Sequence, residues 1–154
     1  MTLACLSFLI GMIAGMRPLT AAAAVSWAAF FGRIDVTDGW LAFLAYPLTP
    51  WIISVLAVAE IAGDKLTSSP SRKVAVQFVT RLATGALPGA AGGAASGWAL
   101  GGAMLGVTGS VVGTYGGVAA RGWLENVFGS DFPGAVLEDF VAVAGASLIV
   151  WAVA

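Results

Sequence analysis

The sequence predicts an all-α fold: a polytopic membrane helix bundle of about five transmembrane helices, the first of them broken. Three observations carry that expectation. Charge is scarce, with 59% of residues hydrophobic and only 10% charged, where a soluble domain carries about 25%. Seven basic and eight acidic side chains cannot cover a soluble surface for 154 residues, and such a chain would expose large apolar patches to water. The charges also cluster, leaving apolar stretches near the length of about 20 residues that a helix needs to cross the hydrocarbon core. Glycines recur at intervals of four in the second half, the spacing that lets apolar helices pack backbone to backbone. Mean hydropathy is +0.94.

The first apolar stretch covers residues 3–32. It lacks the basic start of a secretory signal and leads into more apolar sequence, so it reads as an uncleaved first span. Within it lies GMRPLT, residues 15–20. Proline is harmless at the first position of a helix and costly in its interior. Met16-Arg17-Pro18 therefore predicts a break, with a second half-helix starting at Pro18. Arg33, Asp35 and Asp38 mark the first polar loop. The second span is residues 41–63, entered through an interfacial turn carrying Trp40, Tyr46 and Trp51, since tryptophan and tyrosine favour the membrane boundary. Pro50 suits the start of its helix.

GDKLTSSPSRK, residues 63–73, is the most polar segment and extends to Arg81. Leu82 to Ala120 then runs without a formal charge. That length fits two spans, residues 82–98 and 102–120, joined by a tight turn near Gly97, Gly101 and Gly102. Arg121 to Pro133 reads as a polar loop, and residues 134–154 form the last span. Lys65, Arg72, Lys73, Arg81 and Arg121 all fall on one side of this arrangement, which the positive-inside rule places in the cytoplasm. Five spans then put the N-terminus inside and the C-terminus outside. A re-entrant first segment would instead flip the N-terminus and leave four full spans.

Gly85, Gly89, Gly93, Gly97 and Gly101 repeat every fourth residue, and Gly109, Gly113 and Gly117 repeat the pattern in the next span. Such stripes serve tight packing within one subunit, or else the seam of a homodimer or a pore-lining backbone face.

The polar residues inside the spans suggest a site. An arginine at membrane depth costs at least about 2.5–3.5 kcal/mol and needs a partner or a wet cavity. Glu60 and Asp64 are four apart, on one helix face. Glu138 and Asp139 fall in the first turns of the last span, where the helix dipole also favours acids. The functional expectation is that these four carboxylates converge on Arg17. The structural alternatives are interfacial pairing of Glu60 and Asp64 with Lys65, Arg72 or Arg81, and simple helix-end placement of Glu138 and Asp139. Thr114 and Tyr115, in a GTYGG break of the fourth span, are expected to face the same cavity. GMRPLTAAAAVSW and GTYGGVAARGW, each preceding an acid-bearing span, also suggest an inverted repeat.

GMRPLTAAA, AEIAGDKLTSSPSR, GALPGAAGG, GTYGG and VLEDFVAV occur in that order along nearly the whole chain. This set resembles a family of small bacterial integral membrane proteins catalogued as a domain of unknown function. The resemblance implies a bacterial inner (cytoplasmic) membrane location and carries no activity with it.

Composition and motifs also exclude classes. A net charge of −1 offers no footprint for nucleic acid. There is no histidine and a single cysteine, Cys5, so the commonest general base, the usual metal ligand and any internal disulfide are missing. No nucleophile–base pair stands out, and no cofactor is expected. Carboxylates with backbone carbonyls can still hold a hard cation. The functional expectation is a small transporter or channel for an ion or small solute, working in the lipid bilayer as a homodimer. The alternatives are a non-transporting membrane scaffold and a membrane-embedded enzyme acting on lipid head groups.

Overall fold

The computed structural model describes residues 3–36, 39–66, 75–94 and 96–152. The described residues form helices and connecting turns, with no strand among them. In order these are α1 (Leu3–Met16), α2 (Pro18–Phe30), a 3-10 turn (Trp40–Ala45), α3 (Thr49–Leu66), α4 (Ala75–Ala94), α5 (Ala99–Phe128) and α6 (Phe132–Ala152).

The predicted break falls at Arg17, whose backbone is extended (φ −137°, ψ 93°) with Pro18 opening α2. Beyond Pro18 the chain folds back on itself instead of continuing as the second half of a broken span. Ser7 meets Gly89 and Arg81 meets Gly15, so α1 runs antiparallel to α4. Gly145 of α6 packs on Ile13, while Arg17 meets Asp139. Ala24, Trp27 and Phe31 then border Ser147, Val150 and Trp151. Along α6 the direction of α1 is thus reversed and that of α2 is preserved, so the two helices form a hairpin with Arg17 at its tip. Leu19 beside Glu60 and Trp27 beside Ser54 set α3 antiparallel to α2. All six α-helices alternate in direction, and the start of α1 and the end of α6 lie at the same end of the bundle.

The five-span topology is therefore not confirmed, and the hairpin agrees with the re-entrant first segment offered as its alternative. The 14 residues of α1 and 13 of α2 give only about 21 and 20 Å of helix, short of the ~30 Å hydrocarbon core. Among the described helices, α5 and α6 are long and apolar enough to cross a membrane. The expected span edges also shift. Helix α4 starts at Ala75, so Arg81 is inside a helix rather than in the preceding loop. Helix α5 continues past Arg121 to Phe128 and ends on Gly129, whose φ of 67° suits glycine.

The helices α1, α4 and α5 form the tightest part of the bundle. Added Cβ atoms on Gly85, Gly89 and Gly93 would collide with the backbone or side chains of Ser110, Gly106, Gly102 and Trp98. Those on Gly11, Gly15, Gly109 and Gly113 would collide across the α1–α5 crossing. Both stripes are therefore filled by helices of the same chain. Gly97 departs from the pattern: it occupies the α4–α5 turn with φ 69° and open space around its Cα. Gly101 faces the Trp98 ring, and Gly117 is buried in the lining of a cavity beside α6.

The proposed repeat is not expressed in the backbone. GMRP breaks and reverses the chain, whereas α5 passes through GTYGG as one continuous helix. The difference is chemical, since proline removes an N–H and clashes with the preceding turn while glycine only weakens a helix.

Candidate functional site

The hairpin tip brings opposite helix ends together inside the bundle. The last carbonyls of α1 lack helical partners and carry the negative end of its dipole. Arg81 fills that need: its Nη1 donates to Gly15 O at 2.5 Å and Met16 O at 2.8 Å, and the residue is buried. Thr114 adds a second donor, with Oγ1 3.1 Å from Gly15 O and 2.8 Å from Ser110 O. At the other helix end, the Leu19 N–H in the first turn of α2 donates to Glu60 Oε2 at 3.1 Å. A cation thus sits on the α1 C-terminus and an anion on the α2 N-terminus.

Arg17 is the largest completely buried side chain among the described residues, 1% exposed. Its Nη2 lies 2.5 Å from Asp139 Oδ1 of α6, which is 12% exposed. Arg121 forms a fork with Asp131 at 2.5 and 2.6 Å. Its Nη1 also stands 3.6 Å from Glu138 Oε2, a residue 5% exposed. Thr20, one turn after Arg17, is buried, and its hydroxyl has no hydrogen-bond partner among the described residues.

Two cavities flank the tip. One, of about 300 Å³, is lined by Pro18, Leu19, Glu60, Gln77, Thr80, Arg81 and Thr84 between α2, α3 and α4. The other, of about 220 Å³, has Met16, Gly117, Arg121, Leu137 and Glu138 among its lining residues, between the tip, α5 and α6. Helix α3 continues six residues beyond Glu60, and α4 begins six residues before Arg81. The tip therefore lies roughly 9 Å inside that end of the bundle at 1.5 Å per residue.

The expected convergence is partly realised. Asp139 meets Arg17 directly. Glu60 serves the adjoining helix end, and Glu138 faces Arg121. Asp64 belongs to α3, but its side chain lies outside the described residues, as do those of Lys65, Arg72 and Lys73. Thr114 contacts the tip from an intact helix rather than from a break. Tyr115 does not share the site: it is exposed, one position round the helix from Thr114, and its ring packs edge-on against Phe78 at 6.1 Å.

Arg81 belongs to the site although its charge, read in the sequence, predicts a loop. The signal was the apolar stretch VAVQF before it, which allows a helix to begin well ahead of the charge. No protein family, characterised protein or solved structure matches this chain. Fold and site together define an all-helical bundle with a charge-compensated helical hairpin buried in it.

The Thr114 contact has a direct consequence. Thr114→Val keeps the volume and removes the donor to Gly15 O. A loss of about 1 kcal/mol is expected, read as a lower unfolding midpoint with an unchanged helical spectrum.

Proposed function

We propose that the chain is a small membrane transporter or channel for an ion or small solute, with the α1–α2 hairpin tip as the constriction of its pathway. The membrane reading rests on where apolar side chains sit. Trp51, Val55, Leu100, Met104, Phe140, Leu148 and Trp151 point outward, while Arg17, Arg81, Glu138, Ser110 and Thr114 are buried. That is the reverse of a water-soluble bundle, and it accompanies two helices with the length and hydropathy of membrane spans. By the positive-inside rule, the basic residues near the α3–α4 connection make the tip end cytoplasmic. Both ends of the described chain then face outward, as in the re-entrant alternative and unlike the five-span arrangement.

The observation that carries the transport reading is the hairpin tip itself. Short helices that end inside a membrane are tolerated where they border protein or a water-filled cavity. Their ends mark substrate and ion sites in transporters. Here both ends are held by ionisable side chains, Arg81 and Glu60, that also line a cavity of about 300 Å³. Glu60 occupies the α2 N-terminus, where an anionic group is favoured. Neutralising that carboxylate weakens its hold on the helix end.

Glu60→Gln tests this in proteoliposomes. Glutamine retains an oxygen for the Leu19 N–H and loses the titratable charge. Ion or solute flux should fall at least tenfold, while yield and unfolding midpoint stay near wild type. Unchanged flux would remove Glu60 from the pathway, and absence of flux in the wild-type protein across a panel of ions and solutes would defeat the transport reading.

A further inference from the structure

The basic residues are unevenly placed. Arg17, Arg81 and Arg121 stand around the hairpin tip, and Lys65, Arg72 and Lys73 fall between Glu60 and Arg81 in the sequence. Arg33 is the exception. It follows α2 at the end of the bundle away from the tip, where the positive-inside rule disfavours a basic residue. Its backbone is held in place: the Arg33 N–H donates to Ala28 O at 2.8 Å, and Ile34 and Val36 beside it are buried. Its side chain is exposed and has no ion pair or hydrogen bond among the described residues. Arg33 helps line a groove of about 330 Å³ between α2 and α6, with Ala24, Trp27, Phe31, Ser147, Val150 and Trp151. Two polar groups of that lining are spent within the protein. Trp27 Nε1 donates to Ser54 Oγ at 3.0 Å, and Ser147 Oγ donates to Val143 O at 2.8 Å. The exposed Trp151 indole has no acceptor among the described residues. The groove thus offers apolar walls and two open donors, Arg33 and Trp151, with no carboxylate in its lining. Asp35 is outside that lining and has an interaction of its own, and Asp38 lies outside the described residues.

Depth gives the groove its setting. The tip lies roughly 9 Å inside its end of the bundle, and α2 extends about 20 Å from it. Together these approach the ~30 Å of a hydrocarbon core, which sets Phe31, Arg33 and Trp151 at the far membrane boundary. Exposed Trp40, Tyr46 and Trp51 mark the same end, beside the second half of α2 through the Ser26–Leu44 and Trp27–Trp51 contacts, as interfacial side chains do. We infer that the groove holds one phospholipid of the outward-facing leaflet, its phosphate on Arg33 and Trp151 and an acyl chain along Ala24, Trp27 and Val150. Guanidinium and phosphate form charge-assisted, often two-pronged hydrogen bonds. An apolar groove open to the bilayer gains by taking in hydrocarbon chain rather than water. The phosphate is common to phospholipids, so the site reads that group and not net headgroup charge. The assignment rests on the membrane placement proposed above and is independent of transport.

The probe is dioleoyl phosphatidylcholine, whose neutral headgroup gives basic residues elsewhere no long-range pull. Dioleoylglycerol lacks its phosphate, and glycerophosphocholine lacks its chains. Apparent affinities of the full chain are read by native mass spectrometry from an uncharged detergent. The wild type should bind the phospholipid at least tenfold more tightly than either counterpart. Arg33→Gln should remove the preference over dioleoylglycerol, and Arg33→Lys should keep part of it. Ser147→Trp, which fills the groove and leaves Arg33, should weaken phospholipid binding at least threefold. None of these should move the unfolding midpoint, since both positions are exposed. Lys73→Gln should leave binding unchanged. Equal binding of dioleoylglycerol, equal binding of glycerophosphocholine, unaltered phospholipid binding in Arg33→Gln or Ser147→Trp, or a matching loss in Lys73→Gln would each overturn the site. Alkaline carbonate washing of membranes that carry the chain separates the readings. Retention of the chain with lipid binding indifferent to Arg33 keeps the membrane placement and removes the site. Release of the chain removes both.

Discussion

Arg17→Met is expected to destabilise the protein by about 3–5 kcal/mol, the usual cost of removing one partner from a buried ion pair. The substitution approximates the length of the side chain and removes its charge. Asp139 is then left in a position only 12% exposed with its 2.5 Å partner gone. Asp139→Leu should cost a similar amount for the mirror-image reason. Combining the two gives a sharper result. Replacing both members of a buried pair with apolar residues of similar volume is often neutral, so the double variant should recover most of the lost stability. On the transport reading it should not recover flux, because apolar side chains in place of the pair no longer fix the hairpin tip, with Arg81 and Glu60 on it, in one charged geometry. The checks are the unfolding midpoint in detergent and ion or solute flux from proteoliposomes, measured on both singles and the double. A double variant with wild-type flux would make the pair a structural lock with no part in the proposed pathway.

How far the sequence reached is visible at Arg17. The break was legible because proline after a buried arginine has few places to go within a helix. Asp139 as a partner was legible in kind, since a deep guanidinium requires a carboxylate, but the sequence did not rank Asp139 above Glu60 or Glu138. Ranking depends on helix rotation and register, which the packing of all six helices sets together. The reversal at Arg17 was also invisible. A break between two apolar half-helices fits a kink and a hairpin equally well, and the decision falls to whether α2 finds a better partner in α3 than in continuing along α1. Ser54 and the ring of Trp51, both packed on Trp27, supply that partner. Tyr115 failed for a simpler reason. The glycines around it suggest a helix break, whereas those that face α1 in this helix, Gly109 and Gly113, serve close approach.

That close approach leads to the second large effect. Gly106 lies where three helices meet: added Cβ atoms on Gly11 of α1 and on Gly85 and Gly89 of α4 would all strike it. A Cβ on Gly106 itself would strike the Gly85 carbonyl. These obstacles are backbone, which cannot rotate away as a side chain can. Gly106→Val therefore has to push α4 from α5, opening space along the stripe that Gly89, Gly93 and Gly102 share. Overpacking of this kind typically costs about 1–3 kcal/mol where side chains can yield. Here the cost should reach or exceed the upper end, because only whole-helix movement relieves it. Gly116 and Gly122 are the matched controls in the same helix, with open space around their Cα atoms. Alanine at either removes the glycine entropy penalty and should stabilise by about 0.5–1 kcal/mol. The contrast separates packing from helix propensity, since valine at Gly106 also gains propensity over glycine, as alanine does at the two control positions. It also reaches the site: α5 carries Thr114 and α4 carries Arg81, so separating these helices pulls both donors from the Gly15 and Met16 carbonyls. Gly106→Val should accordingly lose flux together with stability, and a suppressor that restores one should restore the other. A Gly106→Val protein with a wild-type unfolding midpoint would show that α4 and α5 do not pack in this register.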